Sequence, residues 1–319
     1  MSYKNAVNDI LFSENDFKKI RNGIYYMYRE YSKITNIVAE DLTNNKAIQT
    51  PYGIAASQEV AAHCLKDIAR TTQFLRGIYG AIKDKLKENK NVKILYAGCG
   101  PYATLATPLT QVFSENEVSF TFLDINKSSL LAVQKIYEEW GISQFVDLYI
   151  EADATDPSLE MPQKFDIIIS ETMQMGLKNE CQVPLTRNVI RFLKPNGVFI
   201  PEQVLIDIYL AGKENKYKLK ESELLYLGSV YNLDFRNIPK PYSKAKLTVP
   251  DSEFKYLEMF TEIQVYKNHR LSAHDSSLTV PLILNKFVGK LPQSIEFEYQ
   301  ETEKPDFKVT YNFEKAVSV

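Results

Sequence analysis

Between residues 92 and 200, short apolar runs alternate with segments of helical periodicity. The runs 92–97, 118–123, 146–150, 165–170 and 198–200 have strand length, and several end on glycine or an acid. Between them, 103–113, 128–140 and 186–193 read as helices, the last closed by Lys194-Pro195-Asn196-Gly197. Strands alternating with helices at this spacing predict βαβ units and a mostly parallel sheet. Right-handed crossovers then make the sheet doubly wound and Rossmann-like. In such sheets ligands bind outside the carboxyl ends of the strands.

The pattern differs on either side. Ile20, Ile24, Met27 and Tyr31 recur at three- and four-residue spacing, which predicts a helix over 14–33 capped within Ser13-Glu14-Asn15-Asp16. Thr50-Pro51-Tyr52-Gly53 reads as a turn. A long helix is expected from Ser57, with Val60, Leu65, Ile68, Phe74, Leu75 and Ile78 apolar, ending before 85–91. Beyond Pro201 the alternation stops. Residues 204–210, 262–267, 278–284, 294–299 and 307–313 read as strands, and 213–232 as a helix. The expected division is therefore an N-terminal helical extension (1–50), a Rossmann-like α/β domain (51–201), and a C-terminal antiparallel, barrel-like β domain (202–319). The last would carry a helical insertion near 213–235.

Composition narrows the class of partner. The formal net charge is −2 with no long basic block, so nucleic acid is not an expected partner. No apolar run approaches the roughly 20 residues of a membrane span. Met1-Ser2-Tyr3-Lys4-Asn5 lacks the apolar core of a secretion signal, so a cytoplasmic protein is expected. Cys64, Cys99 and Cys181 are odd in number and widely spaced, which argues for reduced thiols and against a disulfide framework or a structural zinc site.

The chemistry sits at the strand ends. Gly98 and Gly100 follow the first strand, where glycine permits a tight turn and close approach to a ligand. Asp124 ends the second strand, where a carboxylate can accept hydrogen bonds from a ribose diol. Asp153 ends the third, within reach of an adenine amino group, and Glu171 ends the fourth. Gly-Cys-Gly alone is equally an ordinary strand-to-helix turn, and nicotinamide dinucleotide sites share the glycines and the acid. The run Gly98-Cys99-Gly100-Pro101-Tyr102 lacks the third glycine that packs a helix against a pyrophosphate. A sulfonium cofactor has no pyrophosphate, which favours S-adenosylmethionine.

The segment 94–102 (ILYAGCGPY) resembles the first motif of Rossmann-like methyltransferases, and 165–180 (FDIIISETMQMGLKNE) resembles the protein arginine methyltransferase family. In that family a Ser-Glu pair ends the fourth strand and a second Glu follows nine residues later. Ser170-Glu171 and Glu180 keep that spacing. The segment 192–201 (FLKPNGVFIP) resembles the stretch after the family's hairpin, 65–70 (LKDIAR) its cofactor-covering helix, and 230–235 (VYNLDF) part of its dimerisation region. Two positions depart: Tyr96 stands where the family has an acid, and Tyr102 where it has a glycine. The Thr-His-Trp motif is absent, and the phenylalanine-rich segment that folds over the cofactor is not recognisable.

The resemblance implies an S-adenosylmethionine-dependent N-methyltransferase and a homodimer. It implies Arg70 on the cofactor's carboxylate, and Glu171 and Glu180 as catalytic residues. The acceptor would be a guanidinium, on a free arginine-like metabolite or on arginine in a peptide or protein. A guanidinium is a poor nucleophile, because its lone pair is delocalised and its pKa exceeds about 12. Two carboxylates can fix its plane, draw its charge onto the non-reacting nitrogens and take up the released proton. Two other readings stand beside this one: an O-, C- or other N-methyltransferase of small molecules, and a cofactor-binding scaffold without catalysis. His63 reads as a packing or capping residue, and His269 and His274, in the tail, are less favoured catalytic candidates than the two glutamates. Met173 and Met175 are placed to line the methyl site or to fill gaps.

Overall fold

The computed structural model describes residues 1–14, 16–39, 41, 47–215 and 219–313. Two helices come first, α1 (Tyr3–Phe12) and α2 (Phe17–Thr35). The α2 N-cap is Asp16, whose carboxylate accepts the Lys19 amide; Asn15 of the expected cap lies outside the described residues. A hairpin follows, β1 (Ile48–Thr50) and β2 (Gly53–Ala55). The single long helix expected from Ser57 is two helices, α3 (Gln58–Cys64) and α4 (Ile68–Lys85). The break falls where Asp67 turns its side chain back to accept the Arg70 amide at 3.1 Å, which starts α4 afresh. Arg70 is thereby placed in the first turn of α4.

Five strands follow: β3 (Val92–Ala97), β4 (Val118–Asp124), β5 (Val146–Glu151), β6 (Phe165–Ser170) and β7 (Leu193–Ile200). They form one parallel sheet in the order β5-β4-β3-β6-β7. Helix α5 (Lys127–Glu139) lies between β4 and β5, and α6 (Gln182–Val189) between β6 and β7. Alternate residues of the central strands face opposite ways. Ile94, Tyr96, Ile167 and Ile169 join a core with α4 and α5. Leu95, Ala97 and Ile168 join a second core with Leu185 and Val189 of α6. Burial on both faces is why these strands read as nearly continuous apolar runs.

Residues 103–113, expected as a helix, form only a short 3-10 turn, Thr107–Gln111. Pro108 contributes no amide, and the Thr107 and Thr110 hydroxyls donate to the carbonyls of Tyr102 and Thr107, both at 2.8 Å.

The rest is antiparallel, as the pattern predicts: β8 (Gln203–Ala211), β9 (Leu224–Asp234), β10 (Lys244–Thr248), β11 (Tyr256–Tyr266), β12 (His269–Leu271), β13 (Leu282–Lys286), β14 (Ser294–Gln300) and β15 (Asp306–Asn312). One sheet runs β12-β11-β8-β9 with β13 on β11, and the other β10-β14-β15. The ring of Tyr231 on β9 packs 4.8 Å from that of Tyr299 on β14, joining the two sheets.

The helix expected over 213–232 is corrected by β9; residues 216–218 lie outside the described part. Its leucines fit helix or strand, and pairing along the whole of β8 decides for the strand. Val230, Tyr231 and Leu233 are buried within the chain, so the segment resembling a dimerisation region spends its apolar side chains inside its own domain.

Candidate active site

The carboxyl ends of β3, β4 and β6 open into a cavity of about 290 Å³, near the lower end of small-molecule sites at roughly 300 Å³. Arg70, Gly98, Gly100, Asp124, Asp153, Glu171 and Glu180 all line it. So do Tyr96, Met173 and Met175, and all three cysteines. Tyr102 is buried but does not line the cavity, and neither do His63, His269 and His274.

The turn after β3 is held from two sides. Gly98 donates its amide to the Leu123 carbonyl at 2.8 Å, and Gly100 donates to Asp124 Oδ2 at 2.9 Å. Both glycines have positive φ, 73° and 62°. A β-carbon on Gly98 would run into the Thr172 side chain, and one on Gly100 would sit 3.3 Å from that of Ala61. The turn therefore depends on glycine for conformation and for space. Asp124 also accepts the Asn126 amide at 2.8 Å. Burial pushes its carboxyl up from the ordinary range, against the pull of these two amides. Asp153 uses one oxygen to accept the amide and hydroxyl of Thr155, at 2.8 and 2.7 Å, which leaves its other oxygen with acceptor capacity.

Arg70 forms an ion pair with Glu171 Oε2, and both side chains are nearly buried. The other oxygen, Glu171 Oε1, is buried with no hydrogen-bond partner among the described residues. A buried carboxylate oxygen left unpaired is costly, and such a group marks a place where a ligand's donor fits. Glu180 accepts from Gln174 Nε2 at 2.9 Å. Burial raises its carboxyl above the ordinary 4.5, opposed by Gln174 and by the charge of Arg70.

The loop from Glu171 to Glu180 is fastened at several points. Gln182 accepts the Thr172 amide at 2.8 Å and donates to Thr186 at 3.2 Å. From the β domain, Thr261 accepts the Gly176 amide at 2.8 Å, and Tyr299 donates its hydroxyl to the Leu177 carbonyl at 2.7 Å. The β1–β2 hairpin adds Ile54, whose amide donates to the Asn179 carbonyl at 2.8 Å. Gln174, Gln182 and Asp67 are absent from the sequence reading. Only Asp67 carries a signal there, an acid three residues ahead of an amide in a helix's first turn.

The parallel sheet in Rossmann order carries an acid-lined crevice at its strand ends and is joined to an antiparallel β domain. The sequence relatives and solved structures fall in one group. The chain is 22% identical over 191 residues to the histone-arginine methyltransferase CARMER of Anopheles gambiae, covering 60% of this chain and 28% of that protein. It is 27% identical over 143 residues to protein arginine N-methyltransferase 5 of Xenopus laevis, covering 43% and 22%. The chain thus spans about a quarter of the length of these relatives.

Among solved structures it resembles the Trypanosoma brucei PRMT1 enzyme-prozyme heterotetrameric complex with AdoHcy. The TM-score is 0.56 at 14% identity, over 82% of this chain and 95% of that one. Arabidopsis thaliana protein arginine methyltransferase 10 gives a TM-score of 0.53 at 13% identity, over 74% and 86%. No family model matches the sequence. The chain has the protein arginine methyltransferase fold. No helix among the described residues is long and apolar enough to cross a membrane.

Proposed function

We propose that this chain is an S-adenosylmethionine-dependent N-methyltransferase whose acceptor is a guanidinium nitrogen. The observation that carries this is the state of Glu171. It already grips one guanidinium, that of Arg70, and keeps a second buried oxygen unpaired among the described residues, with Glu180 in the same hollow. A planar carboxylate is the partner that a guanidinium's fork of donors matches.

The cavity fits the cofactor's groups. Asp124 would hold the ribose hydroxyls, Asp153 the adenine amino group, and Arg70 the terminal carboxylate, while Gly98 and Gly100 let the backbone approach. When bound, S-adenosylmethionine supplies an electrophilic methyl on a cationic sulfur. The chain's own residues do the rest. Glu171 and Glu180 fix the plane of the acceptor and draw its positive charge away from the attacking nitrogen. Glu180, with its raised pKa, suits uptake of the proton that nitrogen releases. The acceptor is a free arginine-like metabolite or arginine within a peptide or protein. A homodimer and a cytoplasmic location belong to the same proposal, the latter supported by three free cysteines.

Mass spectrometry after incubation with isotope-labelled S-adenosylmethionine tests the reading, using a panel of arginine, small guanidines, arginine peptides and non-guanidine acceptors. Label should appear on guanidinium nitrogen, and Glu171→Gln and Glu180→Gln should each lower kcat/KM by about 100-fold or more. Label on oxygen or carbon, or activity that survives either change, contradicts it.

A further inference from the structure

Tyr102 lies two residues beyond Gly100, outside the cavity, and is almost wholly buried. Its hydroxyl donates to the Ile37 carbonyl at 2.7 Å and lies 3.1 Å from the Ser32 hydroxyl. Its ring packs, tilted, at 5.2 Å from that of Tyr31, which in turn packs on Trp140 at 5.5 Å. All of Ser32, Tyr31 and Ile37 belong to α2 or the few residues after it. The glycine turn is thus pinned on its β4 side by Leu123 and Asp124, and on its far side by the N-terminal segment.

The same segment also meets the stretch that precedes Arg70. The Lys66 ammonium stands 4.0 Å over the ring of Tyr28, and Tyr28's hydroxyl accepts the Ala39 amide at 3.0 Å. Lys66 precedes Asp67, the residue that caps α4 and so places Arg70. One helical segment, through two tyrosines, therefore bears on both the glycine turn and the arginine.

We infer that Tyr102 is a positioning residue for the cofactor, and that α2 with the residues to Ile37 forms a clasp holding the glycine turn in its binding shape. The inference rests on the proposed cofactor. A glycine turn with φ of 73° and 62° has many alternatives, because glycine restricts its own backbone least of all residues. The hydroxyl of the buried Tyr102 donating to the partly buried Ile37 carbonyl selects among them, since losing that bond costs about 0.5–1.5 kcal/mol. The clasp touches no reacting atom, so it governs binding and not turnover.

Calorimetric titration of S-adenosylhomocysteine into the full chain tests this with three variants. Tyr102→Phe keeps the ring and removes the hydroxyl; its Kd should rise about five- to tenfold. Its kcat at saturating cofactor should stay within about twofold of wild type, because only binding is weakened. Ser32→Ala removes the neighbouring hydroxyl and should shift Kd the same way but less, which keeps the test open if Tyr102→Phe fails to fold. Tyr3→Phe removes the Tyr3–Tyr31 hydroxyl contact in the same ring cluster without touching the turn. It should lower thermal stability and leave Kd unchanged.

Unaltered binding in both Tyr102→Phe and Ser32→Ala, or an equal shift in Tyr3→Phe, overturns the inference. Absence of binding by the wild-type chain overturns the cofactor assignment itself, and the clasp with it.

Discussion

At the scale of single residues, the cavity holds two carboxyl groups displaced in the same direction, Asp124 and Glu180, both raised chiefly by burial. A raised pKa in the folded chain favours the protonated folded form. Such a group's contribution to stability is fully present below its unfolded value and is lost as pH climbs through the folded one. For Glu180 the window opens at 4.5 and extends upward. Glu180→Gln stays neutral throughout. Its Tm should match wild type below pH 4.5 and exceed it increasingly above, as followed by thermal unfolding across pH. A constant difference at all pH values would mean that Glu180 titrates normally. A stabilised variant with lost activity is the expected signature of a functional acid kept at a cost to the fold.

Among these residues, Asp124, Asp153 and Glu171 are legible in the sequence because each closes an apolar run, and a parallel sheet sends all such ends to one edge. Gln174 is not legible, since its contact with Glu180 depends on a loop path that no periodicity encodes.

At the scale of elements, the loop from Glu171 to Glu180 carries both proposed catalytic groups and has little regular structure of its own. Its shape is imposed by Gln182, the buried first residue of α6, which serves the Thr172 amide and hydroxyl together. Gln182→Leu keeps much of the bulk and strands these donors, which should cost about 1–3 kcal/mol of stability. Activity should fall beyond what that loss explains, because both glutamates shift; denaturant titration alongside kcat/KM separates the two effects. Full activity at reduced stability would show that the loop is held elsewhere.

The elements themselves divide by cause. The central parallel strands β3, β4 and β6 announce themselves because both faces are buried, leaving nearly unbroken apolar runs. The 3-10 turn at Thr107–Gln111 and the break before α4 escape periodicity, because single side chains decide them: Pro108, Thr107 and Asp67 bond or block particular backbone groups. The strand β9 is hidden for a different reason. Its leucines satisfy either period until β8 supplies a partner.

At the scale of the whole molecule, three regions share one site. The Rossmann-like sheet contributes the glycine turn and the acids. The β domain braces the glutamate loop through Thr261 and Tyr299, and is itself clamped to α6 by Arg187 on Glu301 at 2.5 and 2.8 Å. The N-terminal helices hold the turn through Tyr102, and reach the stretch before Arg70 through Tyr28 against Lys66. Texture along the chain separates these regions but does not encode how they meet, because contacts between distant segments leave no local period.

The claim on which everything else depends is that the hollow beyond β3, β4 and β6 receives an adenosyl cofactor with its polar groups on the strand-end acids. A crystal structure with S-adenosylhomocysteine tests it directly. The account predicts the ligand in this hollow, its ribose hydroxyls on Asp124, its adenine beside Asp153 and its carboxylate on Arg70. Density for the ligand at any other place, or in this hollow with Asp124 facing away from the ribose, would contradict it.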